Sequence, residues 1–175
     1  MAIVAAGCAF ALSACMTMTP ANYMVSQEAK GALAKYSGSK VAVAQIAGPA
    51  SFEPMCRAVG NIAIPEGSIG QFVAKGFNDE LKYAGMYADG GVKLTGTVTR
   101  AAFSTSAAIV NGWWEIALSL QSSNGQSMAV ETRYDFEAGF VGPGACNNAS
   151  RALGPAVQQL VYKTITDPRF AALIR

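Results

Sequence analysis

The sequence contains no histidine among its 175 residues. Without this common general base, a Ser-His-Asp triad is impossible, and few residues remain that bind zinc well. The glycines do not match a phosphate-binding loop. The net charge is only +2, and no long basic run suggests nucleic acid binding. We therefore expect no enzymatic activity, no cofactor, no metal site and no nucleic acid partner.

Charged residues are also scarce, at 14% of the chain against a usual quarter or so, while 51% of the residues are hydrophobic. That apolar content is enough for one folded core in a chain of this length. The low charge is consistent with a large surface that faces a protein or a membrane. A secreted globular domain is an equally consistent interpretation.

No lysine or arginine precedes the apolar run of residues 2–11, although a secretory leader normally begins with a basic residue. We expect the natural start to lie upstream. The run ends at Leu12-Ser13-Ala14-Cys15 and is followed by polar residues. It is short for a membrane-spanning helix, which needs about 20 apolar residues. Extension to Met18 approaches that length, so an uncleaved anchor remains an alternative, as does a buried first helix.

The stretch from Leu12 to Cys15 resembles the lipobox of bacterial lipoproteins. The resemblance implies cleavage before Cys15 and a diacylglycerol anchor on its thiol. A weaker candidate is Ala5-Ala6-Gly7-Cys8, which lacks the leucine. Because Met16 is not the aspartate that retains such proteins at the inner membrane, the resemblance implies the periplasmic face of the outer membrane. The expected division is a signal peptide over 1–14, a lipidated tether with a possible short helix over 15–39, and one periplasmic domain over 40–175.

Two of the four cysteines, Cys56 and Cys146, belong to the mature chain under this interpretation. An even pair in an exported protein predicts one disulfide. Each cysteine is expected in a loop just ahead of a helix. Two free, buried thiols are the alternative.

Hydrophobic periodicity predicts a strand, a helix, three strands and a second helix. A compact apolar run predicts the first strand over 41–47. Ser68 has capping-box spacing to Gln71, and the apolar stripe that follows predicts a helix that ends at Gly85. Alternation of apolar and polar residues predicts strands over 92–99, 113–120 and 128–137, each with one wet face.

The turn between the last two strands is constrained by which residues must face the core. A three-residue loop, Ser123-Asn124-Gly125, pairs Leu120 with Met128 and Leu118 with Val130. A two-residue loop would instead set Leu118 opposite the charged Glu131. We prefer the longer loop, with Gly125 in a left-handed bulge position.

The second helix is expected to begin near Cys146, after a turn at Gly142-Pro143-Gly144. Gly154-Pro155 must break or kink this helix, and Asp167-Pro168 stops it. The whole order predicts an α+β two-layer sandwich: a mostly antiparallel sheet with two main helices packed on one face.

Trp113 is the aromatic residue that the alternation places on the wet face of the sheet. An exposed tryptophan at a strand start is a candidate anchor for a partner, and coverage by the amino-terminal segment is the alternative. Glu131, Asp135 and Glu137 share a strand face and resemble paired catalytic carboxylates. Since Arg133 lies among them, a solvated, self-paired face is the better interpretation.

The element order behind a lipobox resembles small outer-membrane lipoproteins of Gram-negative bacteria, including lipopolysaccharide-assembly and envelope-transport auxiliary lipoproteins. The resemblance implies a non-enzymatic, membrane-anchored subunit that stabilises or bridges an envelope complex with a protein partner. The alternative function is binding of a lipid or another apolar ligand between the sheet and the helices.

Overall fold

A computed structural model describes residues 16–107 and 110–175 of the chain. In chain order its helices and strands are β1 (Met16–Met18), α1 (Gln27–Leu33), β2 (Val41–Ala47), β3 (Met55–Cys56), β4 (Gly60–Ile62), α2 (Ile69–Tyr83), β5 (Val92–Ala107), β6 (Asn111–Ser122), β7 (Ser127–Glu137), α3 (Gly142–Thr166) and α4 (Phe170–Leu173). Short 3₁₀ turns follow α1 and precede α2.

The main sheet has the strand order β2-β5-β6-β7. The β2–β5 pair is parallel and is connected through α2, while β5, β6 and β7 form an antiparallel meander. The two long helices pack against the buried face of this sheet and against each other. The predicted α+β two-layer sandwich is therefore confirmed.

Helix α2 forms for the reasons that its sequence suggests. The Ser68 hydroxyl accepts a hydrogen bond from the Gln71 amide at 3.2 Å, which satisfies one of the free donors of the first turn. Its buried residues follow the helical period on the side facing the sheet. Gly85, at φ +70°, lies just beyond the helix end.

The hairpin between β6 and β7 has the predicted register. Leu120 lies opposite Met128 and Leu118 lies opposite Val130, so each pair shares the buried face. Gly125 adopts a φ of +87°, which favours glycine strongly. The three-residue loop is confirmed.

Strand β5 continues eight residues beyond the predicted end at residue 99. A bulge between Val98 and Arg100 shifts its register against β6. As a result Ala101 and Phe103 return to the inner face, where they lie opposite Ile116 and Trp114. The bulge interrupts the alternation on which the prediction depended.

The prediction was wrong about the start and the middle of α3. The helix begins at Gly142, so Gly142-Pro143-Gly144 forms its first turn. Proline is tolerated there because backbone N–H groups in the first turn have no partner within the helix. It also continues through Pro155 to Thr166 without a break. Leu153 and Val157, on either side of that proline, are fully buried, and this packing holds the helix together across the missing bond.

Residues 16–36, which we call the N-terminal strap, were expected to form a tether with a possible short helix. The strap contains β1 and α1. Strand β1 pairs in parallel with β4, and β4 pairs with β3, so the three strands form a small second sheet in the order β1-β4-β3. Met18, Ala29 and Leu33 are buried in the common core, so the strap packs as part of the domain.

Candidate functional site

The outer face of the main sheet carries Trp113. Its indole is half-buried, and the Arg133 guanidinium carbon lies 4.9 Å from the ring centroid, a cation–π geometry. Ser104 and Asp135 are its cross-strand neighbours. Trp113 therefore presents part of its ring to solvent within a polar surrounding.

Arg133 also belongs to a chain of ion pairs that runs across three strands. It donates to Glu115 and Asp135, both at 3.0 Å, and Glu115 accepts from Arg100 at 2.8 Å. The arginines are about half exposed, so each pair contributes little to the free energy of folding. Asp135 is therefore paired with Arg133, while Glu131 and Glu137 are exposed on the same strand.

The disulfide between Cys56 and Cys146 is present, with its α-carbons 5.7 Å apart. Cys56 lies in β3 and Cys146 lies inside α3, so their expected placement in loops was wrong. The bond ties the small sheet to the main helix layer. In the chain-entropy model a loop of this length stabilises the fold by about 4–5 kcal/mol.

The strap is attached to α2 by a buried carboxylate. Glu80 is only 1% exposed, and its Oε1 accepts from the Tyr23 hydroxyl at 2.9 Å and from the Ser26 amide at 3.0 Å. Its Oε2 is buried without a hydrogen-bond partner among the described residues. Burial raises the pKa of the Glu80 carboxyl, and burial next to this carboxylate also raises the pKa of Tyr23.

Further contacts hold the strap against both long helices. The Tyr23 ring lies over Gly76 of α2, where a β-carbon would come within 2.7 Å of the ring. Gln158 of α3 donates to the Met24 carbonyl at 2.9 Å. Lys30 of α1 stacks on the Tyr83 ring of α2 at 4.5 Å. Each helix thus contributes side chains that fix the path of the strap.

An open cleft of about 500 Å³ lies between residues 51–57 and residues 101–106 of β5, beyond the part of β5 that pairs with β2. Phe52 lines this cleft. Its ring centroid lies 6.1 Å from that of Trp114, which is fully buried. Arg57 and Thr105 also line the cleft. The Arg57 guanidinium donates to the Thr105 carbonyl at 2.6 Å and to the Thr105 hydroxyl at 2.9 Å.

The layer between the sheet and the helices, where an apolar ligand was the alternative expectation, is filled by side chains of the chain itself. These residues are almost wholly buried: Leu94, Val98, Ile116 and Leu118 from the sheet, with Phe72, Phe77, Leu153 and Val157 from the helices. In this part of the described chain, the apolar surfaces of the two layers are already buried against each other.

The described residues, 16–107 and 110–175, contain no group of three or more metal-ligating side chains positioned to hold an ion. One Ser-x-x-Lys spacing occurs, from Ser37 to Lys40. There the Lys40 ammonium donates to the Gly85 carbonyl at 2.8 Å. Within the same ranges, no helix is both long enough and apolar enough to cross a membrane.

The sequence-predicted site residues have different outcomes. Cys15, the signal peptide over 1–14 and the alternative Cys8 lie outside the described residues. Trp113 lies on the outer face, and its role as a partner anchor stays a prediction. Sequence reasoning missed Glu80, although it falls on the apolar stripe of α2, where a charged residue signals a buried partner.

No protein-family model matches the sequence, and no curated protein matches it. Among solved structures, the chain is similar to a crystal structure of protein XCC0632 from Xanthomonas campestris, described by the family model DUF330. The two share 13% identity and a TM-score of 0.48, over 85% of this chain and 91% of that one. At that level of similarity no function transfers.

Replacing Glu80 with glutamine is expected to flatten the pH dependence of stability. The folded-state pKa of Glu80 is raised above its ordinary 4.5. Between the unfolded and the folded pKa, the folded chain therefore keeps a proton on Glu80 that the unfolded chain has released. The contribution of Glu80 to stability is fully present below pH 4.5 and is lost as pH rises through the folded pKa. Denaturant unfolding across this range measures the slope. Glu131→Gln, at an exposed position, is the matched control, and equal slopes in the wild type and both variants would contradict the assignment.

Proposed function

We propose that this protein is a non-enzymatic lipoprotein, anchored through Cys15 to the periplasmic face of the outer membrane. In this role it is a structural or assembly subunit of a cell-envelope complex. The observation that carries the proposal is the position of β1, which begins at the residue after the lipobox cysteine and pairs with Gly60–Ile62. A lipid on Cys15 would then be attached to the fold itself.

A fixed attachment of this kind favours a structural role over that of a domain on a flexible tether. A flexible tether would let the domain search a volume around its anchor, and its length would set the reach. Here the strap is held by Glu80, by Gln158 and by the small sheet. The membrane anchor and the outer sheet face would therefore keep a constant relation, which is useful for holding a partner in place.

The outer sheet face is the candidate surface for that partner. It is uncovered by the described chain, and it combines a half-buried tryptophan with two arginines, residue types enriched at binding hot spots. The alternative, an apolar ligand between sheet and helices, has less support because that layer is filled. The disulfide supports an oxidising compartment such as the periplasm.

The anchor is tested by the mass of the mature amino terminus, with the protein recovered from its native host. We expect an acylated Cys15, and we expect the Cys15→Ser chain to leave the membrane fraction, since stable anchoring depends on several acyl chains. Cys8→Ser is the matched control and should remain membrane-bound. Recovery of an uncleaved chain that carries no acyl group on Cys15 would contradict the proposal.

Truncation of Trp113 to alanine is expected to weaken capture of the partner by about 1–2 kcal/mol, which is the range of a hot-spot residue. Proteins that co-purify with the detergent-extracted wild type would first identify the partner. Its affinity would then be compared for the wild type, Trp113→Ala and Thr97→Ala, an exposed control on the same face. Equal affinity for all three would remove Trp113 from the interface.

A further inference from the structure

Four exposed apolar side chains lie on segments near the small sheet, and hydrogen bonds of Arg57 and of the Val110 carbonyl connect these segments to one another. They are Met55, Val110, Phe140 and Val141, with exposed fractions of 52%, 40%, 76% and 68%. We call this group the apolar end. A soluble protein gains nothing from exposing a cluster of such residues, and clusters of this kind mark interaction sites.

The apolar end adjoins the small sheet, in which the described chain begins. Met16 is paired with Gly60 across the β1–β4 ladder, and Gly60 is paired with Cys56, the residue after Met55. On the other side, Thr17 of β1 and Val59 line one cleft with Pro143, which lies two residues after Val141. Strand β1 therefore lies in the part of the fold that carries Met55 and Val141.

Hydrogen bonds fix the backbone that carries the apolar side chains. The Arg57 guanidinium donates to the Phe140 carbonyl at 3.3 Å as well as to Thr105. The Val110 carbonyl accepts from the amides of Ala138 and Gly139 at 2.8 and 3.0 Å. The Cys56–Cys146 bond joins β3, which carries Met55, to α3, which begins just after Val141. The exposure is thus imposed by the fold.

The charges around the apolar end are mixed. Arg57 and Arg151 are exposed on one side, and Glu53 and Glu137 are exposed nearby. This balance favours an apolar contact over an electrostatic one, because attraction to an anionic surface needs a local excess of basic residues.

We propose that the apolar end rests on the leaflet to which the chain is anchored, with Phe140 and Val141 inserted into the interfacial region. The inference rests on the proposed lipid anchor at Cys15. Consecutive α-carbons are about 3.8 Å apart, so a lipid on residue 15 starts one residue from β1. The apolar faces of interfacial helices enter the boundary between headgroups and acyl chains to a depth of about 5–10 Å, and the same boundary is open to exposed apolar side chains held against it.

The test uses the full chain, purified from native membranes and reconstituted in phosphatidylcholine vesicles with brominated acyl chains, which quench tryptophan fluorescence on contact. Phe140→Trp and Val141→Trp place a probe in the apolar end. Gln126→Trp places one at the hairpin loop, at the opposite end of β6 and β7. Trp113 and Trp114 give the same background in all three variants.

We expect loss of the added fluorescence at positions 140 and 141 and none at position 126. Vesicle-bound variants whose added fluorescence survives at 140 and 141 would overturn the apolar contact and leave the anchor standing. A chain that fails to float with the vesicles would overturn the anchor, and with it the inference.

Discussion

The buried carboxylate of Glu80 fixes the path of the amino-terminal strap against α2. Burial of an ionisable group with one oxygen unpaired costs free energy, and bonds to a charged acceptor offset part of that cost. The two donors, the Tyr23 hydroxyl and the Ser26 amide, come from the strap itself. No apolar side chain at position 80 could accept them, so this group selects one path for the strap over the others that its apolar residues would allow.

The contacts of the strap also fix the position of β1 relative to the rest of the domain. The strap passes from the small sheet, over the two long helices, to α1, where Leu33 is buried in the core. The disulfide fixes the other side of the small sheet to α3. The end of the fold that carries β1 is thereby held by hydrogen bonds on one side and a covalent bond on the other.

Much of the main sheet was predictable from sequence because its strands alternate cleanly and α2 has a clear cap and stripe. The hairpin register followed from the rule that facing residues share a side. The extension of β5 did not, because the bulge at Val98–Arg100 breaks the alternation. Strand β1 has only three residues, and its partner β4 lies more than 40 residues away, so no local pattern marks it. The start of α3 was misplaced because a Gly-Pro-Gly sequence is typical of turns.

The candidate site divides in a similar way. The disulfide followed from the cysteine count, and the position of Trp113 on the wet face followed from strand alternation. Glu80 lies on the predicted apolar stripe, but the donors that satisfy it come from 54 and 57 residues earlier in the chain. Such distant pairing depends on how the strap packs against the helices, and that is visible only in the folded structure.

The central claim is that the strap belongs to the folded domain and is not a flexible tether. Amide hydrogen exchange of the full chain measures this most directly, because protection reports the free energy of local opening. The account predicts that the Ser26 and Ala29 amides, which donate to Glu80 and to the Ser26 hydroxyl, are protected as strongly as the amides of α2. Exchange of these two amides at the rate of an unfolded peptide, with α2 still protected, would contradict it.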